Sequence, residues 1–320
     1  MNKNTYLLKK YHNNLNFQIQ TEIIDISEQT KRLINFINEN ITTDNSIFIV
    51  NQIELGDNII INGLIRYYSS IYNNVILVCR NDYFDQLKIM YQDLSNLYLY
   101  QIYNETKNII HLYDFINIYV PYNDTIILLF KKKKILFQPM VFHTSKYKKS
   151  TSFIIQSKIL YPRCLFSSDV NYNIRYDKFK INRDLEKENK LYDDLVKIIG
   201  ESYSIIIDDK SRNFIINENN NDIPIFRLSP NGNNNNLDTI LDNNIFNYIK
   251  ILENAKEIHT IDSSIVLLID QLDINVKTYI HRYIRKGFVE YRNKNFIVYN
   301  DINEYITPTK GISKKNIYIK

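Results

Sequence analysis

The chain has 320 residues, of which 44% are hydrophobic and 13% aromatic, so it can build real cores and is not a disordered polar polymer. Forty Lys and Arg against 35 Asp and Glu leave a formal charge of +5. That mild excess suits a protein handling anionic small molecules and argues against a dedicated nucleic-acid binder. The two cysteines, Cys79 and Cys164, match no metal spacing and are too few for a disulfide framework, which points to a reducing compartment.

Residues 1–20 are polar and lack the apolar core of a signal peptide. No stretch approaches the ~18 apolar residues of a membrane span, so the expectation is a soluble, cytoplasmic protein.

The first clear unit begins at Ile47-Phe48-Ile49-Val50, an apolar run followed by polar residues and Gly56. Ile61, Leu64, Ile65 and Tyr68 then recur at i, i+3, i+4, i+7, the stripe of a helix lying on a sheet. Val75-Ile76-Leu77-Val78-Cys79 is short, continuous and β-branched, as in a buried parallel strand. Strand, tight loop, helix and strand within about 30 residues make a βαβ unit. Further strands are predicted at 98–103, 116–120 and 125–130, and residues 131–150 read as basic, loop-rich surface. The run from Lys131 to Lys134 reads as a solvated edge rather than an anion site.

The pattern breaks at Tyr161-Pro162-Arg163, which sets a predicted domain boundary near residue 165, giving domains 1–165 and 166–320. Asp184 is placed to start a helix reaching Ile199, with Gly200 at the C-cap. Strands are then predicted at 204–207, 224–228, 257–261 and 276–280. Helices are predicted around Ile245, Tyr248, Ile249 and Leu252 and over 264–272, and Asn231-Gly232 marks a loop. Two βαβ-type runs imply an α/β protein of two Rossmann-like domains facing a cleft.

In open α/β sheets ligands bind beyond the carboxyl ends of the strands. Four loops qualify: 54–58, 208–212, 262–264 and 281–282. Gly56 permits a tight turn, and Asp57 stands at a helix start either as a cap or as a chemical group, with Glu54 as a reserve base. The loop is neither G-x-G-x-x-G nor a P-loop, so ordinary dinucleotide binding loses support. Asp208-Asp209 could pair on a metal, but no Asp-x-Asp occurs in the chain. His259 reads as a structural histidine, and His281-Arg282 as either surface packing or a phosphate contact.

Gly56-Asp57-Asn58-Ile59-Ile60, followed by Asn62-Gly63-Leu64-Ile65-Arg66, resembles the opening motif of heptosyltransferase-like enzymes, glycosyltransferases of family 9 with the GT-B fold. Glu257-Ile258-His259-Thr260-Ile261-Asp262-Ser263-Ser264 resembles their donor-site motif, and Ser211-Arg212 their Ser-Arg after the first strand of the second domain. The resemblance implies an acceptor-binding first domain and a nucleotide-sugar-binding second one. It implies that Asp57 is the base of a metal-independent inverting transfer to a hydroxyl acceptor. Asp262, Ser263, Ser264, Lys210, Ser211, Arg212 and His281 would hold the donor, and Glu54, Gly56, Asn58 and Arg66 would line the acceptor side. No cofactor, metal or nucleic acid is expected. The alternatives are a nucleotide-sugar epimerase of the same fold and a catalytically silent binding protein.

Overall fold

The computed structural model describes residues 26–51, 54–102, 123–139, 170, 173–209, 212–217, 223–228, 244–285 and 291–302. The predicted strand at 116–120, the boundary near residue 165, Cys164, the Asn231-Gly232 loop, Lys210 and Ser211 lie outside them.

The first half opens with α1 (Ile26–Asn40) and β1 (Ser46–Val50), then two short helices, α2 (Leu55–Ile60) and α3 (Asn62–Ser69). β2 (Asn74–Arg80), α4 (Phe84–Met90), β3 (Leu97–Ile102), α5 (Asp124–Lys132) and β4 (Ile135–Pro139) follow. The four strands pair in parallel in the order β3-β2-β1-β4. Alternation along β1 and β2 gives each face its own layer. Phe48, Val50, Ile76 and Val78 pack with Leu33, Ile37 and Ile41 near α1 and with Ile126 and Phe130 of α5. Ile47, Ile49, Val75 and Leu77 join α2, α3 and α4 on the other face.

The second half contains α6 (Ile174–Asp177), α7 (Leu185–Ile199), β5 (Ser204–Ile207), β6 (Ile225–Leu228) and α8 (Ile249–Asn254). β7 (Glu257–Thr260), α9 (Ser264–Leu272), β8 (Lys277–His281) and β9 (Phe296–Tyr299) complete it. This sheet is also parallel, in the order β6-β5-β7-β8-β9. Asp184 caps α7 through the Lys187 N–H, and Gly200 ends it in left-handed backbone (φ 84°), both as predicted.

Two expectations are corrected. Residues 125–130 form helix α5, not a strand; Asn123 caps it by accepting from the Ile126 N–H, and Leu128 is 65% exposed. The surface predicted for 131–150 contains strand β4, which pairs along the whole of β1. The lysine run divides accordingly: Lys131 and Lys132 end α5, where cations suit the helix dipole, and Lys134 takes a left-handed turn into β4.

The halves share one apolar cluster that runs from Ile49 and Leu64 through Leu267 to Ile205 and Ile258. Polar contacts register it. Asn62 donates to the Lys180 carbonyl (3.2 Å) and accepts from the Lys180 N–H (3.1 Å). Arg66 donates to both Asp93 oxygens (3.0 Å each), to the Met90 carbonyl and to the Lys180 carbonyl. Burial alone would raise the Asp93 carboxyl, but hydrogen bonds from Arg66, Lys180 and Asn182 hold it well below its ordinary range. Gly63 lets α3 and α6 touch. A Cβ there would collide with the Ile174 carbonyl and come within 2.9 Å of the Arg175 carbonyl oxygen. Gly63→Ala is therefore expected to destabilise the fold by about 1–3 kcal/mol, because backbone must move to admit the methyl. Urea unfolding checks this, and a midpoint equal to wild type would mean that α3 and α6 are not in contact.

Candidate functional site

Each sheet has one place where strand order reverses, between β1 and β4 in the first and between β5 and β7 in the second. Chain leaving a parallel sheet on opposite sides opens a crevice there. The two places adjoin. Gly56, just beyond β1, lies against α9, just beyond β7: a Cβ on it would be 2.9 Å from Leu267 Cδ1 and 3.6 Å from Ser264 Cα. α2 and α9 are thus in direct contact at Gly56, where an added methyl would displace only the movable tip of Leu267.

Asp57 sits in the first turn of α2 but does not cap it; the N-cap position is Glu54, whose side chain makes no cap bond. Burial raises the Asp57 carboxyl to about 7, and the Glu54 carboxylate adds to the rise. A backbone hydrogen bond and the Arg285 guanidinium oppose it. Arg285 belongs to the loop after β8, so a side chain of the second half acts on a carboxyl of the first. Its guanidinium also lies over Phe214 (5.9 Å), whose backbone bridges Asp209 beyond β5. The loops after β1, β5, β7 and β8 therefore meet.

Glu54 is already engaged, accepting from Arg80 (2.8 Å) and from the Tyr83 hydroxyl (3.0 Å), while Arg80 also pairs with Asp82. That makes it a positioning group for the loop rather than an unoccupied base. On the opposite side Asp262 accepts from Arg282 Nε (3.1 Å) and from the Tyr291 hydroxyl. Asp262 therefore holds Arg282 at the mouth of α9, with the guanidinium packed on the Tyr291 ring (5.3 Å). Burial and the Asp262 charge together push the Tyr291 hydroxyl well above its ordinary range, so it acts as a donor.

Several polar atoms at the junction lack partners among the described residues. Ser263, the N-cap of α9, makes no capping bond, and its buried hydroxyl has no hydrogen-bond partner. Asn51, fully buried where β1 ends, leaves both amide atoms unbonded, and Asn58 leaves its carbonyl oxygen unbonded. Buried polar groups are nearly always paired, so these three are candidate contacts for another molecule, although Thr30, Ser69, Gln86 and Tyr91 carry unpaired buried atoms elsewhere.

The remaining predicted residues have other surroundings. Ser264 starts α9 beside Gly56. Arg212 is half-exposed and 3.5 Å from Asp209, and buried Asp208 is ion-paired with Arg227. Arg66 is committed to Asp93 and to backbone carbonyls, as described above, so its part is structural support. His281 is fully buried and faces His259 and Tyr283 rather than the crevice mouth. Arg285, Tyr291, Asn51 and Arg80 were not singled out from sequence. The run His281-Arg282-Tyr283-Ile284-Arg285 carried the available signal, two arginines directly beyond a parallel strand. Among the described residues no three His, Cys, Asp or Glu side chains converge as metal ligands, and no helix is long and apolar enough to cross a membrane.

No protein-family model matches the chain, and no curated protein matches it. Among solved structures it is similar to a glycosyl transferase of family 9 from Veillonella parvula, at 10% identity and a TM-score of 0.44, over 83% of this chain and 88% of that one. At that distance the likeness assigns no residue a role.

A carboxyl with a raised folded-state pKa has a definite linkage signature. Its folded value, about 7, exceeds the unfolded 3.8, so its contribution to stability is present below pH ~4 and is lost as pH rises through ~7. Asp57→Asn removes the titration. Its gain in melting temperature over wild type is expected to be larger at pH 8 than at pH 5, and equal gains at both would mean that Asp57 is solvated.

Proposed function

We propose that this chain is a metal-independent, inverting glycosyltransferase whose nucleotide-sugar donor and hydroxyl acceptor meet where the two strand-order reversals adjoin. The observation that carries the reading is Asp57, a carboxyl titrating near neutrality at the contact of α2 and α9 and facing an arginine of the opposite half. A general base is most effective when its pKa lies near the working pH, since it is then both deprotonated and basic enough to accept a proton. Asp57 takes the proton of the acceptor hydroxyl as that oxygen attacks the anomeric carbon and the diphosphate leaves from the opposite face.

The donor side is built for the leaving group. α9 presents first-turn N–H groups beside a Ser263 hydroxyl with no bond of its own, and helix N-termini favour phosphate. Arg282 and Arg285 stand in the adjoining loop, with Arg212 and Lys210 as further phosphate contacts. Positive charge and N–H dipoles in a water-poor site stabilise departing diphosphate, the work that a divalent cation does in other transferases. Asn51 and Asn58 supply carboxamides to orient hydroxyls of the acceptor. The reading divides the chain into an acceptor-side half and a donor-side half about the crevice, the arrangement of a GT-B enzyme.

Asp57→Asn is expected to lower sugar transfer by about 10²–10⁴-fold while nucleotide affinity changes little. In wild type kcat/KM should rise with pH and level off above about 7, following the ionised Asp57. Near-normal transfer by the variant, or an acid limb that persists in it, would remove Asp57 as the base.

A further inference from the structure

Four side chains gather where the end of β2 meets the start of α2. Glu54 is the N-cap of α2, yet its side chain makes no capping bond. Arg80, the last residue of β2, donates from Nη1 to Glu54 Oε1 (2.8 Å), and the Tyr83 hydroxyl donates to Oε2 (3.0 Å). Arg80 also pairs with Asp82 and lies over the Tyr83 ring (5.1 Å), so the turn Asn81–Tyr83 holds the guanidinium from two sides. The main chain of Glu54 serves α2 instead. Its carbonyl accepts from the Asn58 N–H (3.2 Å) and from Asn58 Nδ2 (2.9 Å), and its N–H faces the Asp57 carboxyl and favours the ionised form. One residue thus has its side chain fastened to β2 and its backbone fastened to the turn that carries Asp57.

We propose that Arg80 is a positioning residue for Asp57, acting through Glu54, which it holds as a fixed and partly compensated negative charge in the same helical turn. The consequence for turnover rests on the reading of Asp57 as the base; the geometry does not. Glu54 and Asp82 carry two negative charges and Arg80 one positive. The set therefore has one negative charge in excess, and ionising Asp57 adds another beside it. Removing the Glu54 charge makes the set neutral, whereas removing the Arg80 charge doubles the excess. The two substitutions must act on Asp57 in opposite directions.

The surroundings fit this division of labour. Burial is the main reason that the Asp57 carboxyl titrates near 7, and the Glu54 charge comes next. Burial, and after it the Glu54 charge, push the Tyr83 hydroxyl up to about 12, so it stays a donor and keeps Oε2 in place. From the opposite half Arg285, beyond β8, faces Asp57 and opposes the rise. α9 meets the turn through Ser264 and Leu267, neither of them charged. Arg80 therefore adjusts from the neighbouring strand the pH at which Asp57 gives up its proton, without touching it.

Carboxyl 13C NMR of full-length protein labelled on aspartate reads the Asp57 midpoint without ligand or turnover, its signal identified by loss in Asp57→Asn. Glu54→Gln keeps the shape and removes the charge, so the midpoint should fall. Glu54 is half-exposed, and screening by water holds the change to about half a pH unit. Arg80→Gln should raise the midpoint by a similar amount, and Arg80→Lys, which restores the charge, should return it toward wild type. A loop that merely loosens would let water reach Asp57 and lower the midpoint in both neutral variants. A fall or no change in Arg80→Gln therefore overturns the assignment, as does an unmoved midpoint in Glu54→Gln. If Arg80→Gln fails to fold, amide exchange over 55–60 in Glu54→Gln decides: a lower midpoint at wild-type exchange supports the charge effect, and a lower midpoint with faster exchange overturns it. Where sugar transfer is measured, the acid limb of kcat/KM should move with the carboxyl. A carboxyl that shifts while the limb stays would remove Asp57 as the base and leave its positioning intact.

Discussion

Asp270 and Arg175 are both withdrawn completely from water, and the seat of α9 on α6, and through Gly63 on α3, depends on their pairing. Two buried ions are stable only when mutual attraction is supplemented by hydrogen bonds to the remaining donors and acceptors. That condition recruits neighbours from several elements. Asp270, on α9, accepts from Arg175 (3.2 Å), from the Tyr176 hydroxyl (3.0 Å) and from the N–H groups of Arg292 and Asn293 (2.8 and 2.9 Å). Arg175 also lies over the Tyr176 ring, and with the Gln271 amide turned to suit, its Nε donates to that amide oxygen at 2.8 Å. α6, α9 and the approach to β9 are thereby fixed to one another. α6 in turn rests on α3 at Gly63, so the buried pair sets where α9 stands relative to the first sheet.

That placement explains the crevice. α9 abuts α2 where both leave their sheets, bringing a carboxyl, two arginines and unsatisfied serine and asparagine groups to one junction. Burial of Asp57 opposes its ionisation, so the charged carboxylate is a cost to the fold, one that the proposed role as a base would account for. The Asp262–Arg282–Tyr291 set plays the complementary part, holding positive charge at the mouth of α9 without leaving the aspartate unpaired.

Much of the layering was legible in the sequence because buried parallel strands read as short continuous β-branched runs, and helices on a sheet repeat at 3.6 residues. Ile47 to Val50, Val75 to Cys79 and Ser204 to Ile207 were legible for that reason. The run Ile126-Ile127-Leu128-Leu129-Phe130 misled because a short apolar stretch has no period of its own; Asn123-Asp124 before it was the helix-start signal that decided the structure. Strand β4 was hidden behind four lysines. Within the site, local spacing exposed Gly56, Asp57 and the start of α9. Arg285 acts on Asp57 from the other half of the chain and Tyr291 on Asp262 across 29 residues, separations that no local spacing reveals. The motif residues Gly63 and Arg66 are engaged in tertiary packing and pairing, with Ile174 and Arg175 and with Asp93 and Lys180, which a sequence motif cannot separate from chemistry.

If the ends of both sheets form one proposed site, a bound nucleotide sugar touches both, and hydrogen–deuterium exchange with and without a saturating nucleotide sugar measures this. Slower exchange is predicted together in the backbone of 54–61, in the first turns of α9 and in 281–285. Protection confined to one half, or no change in either, would contradict a shared site.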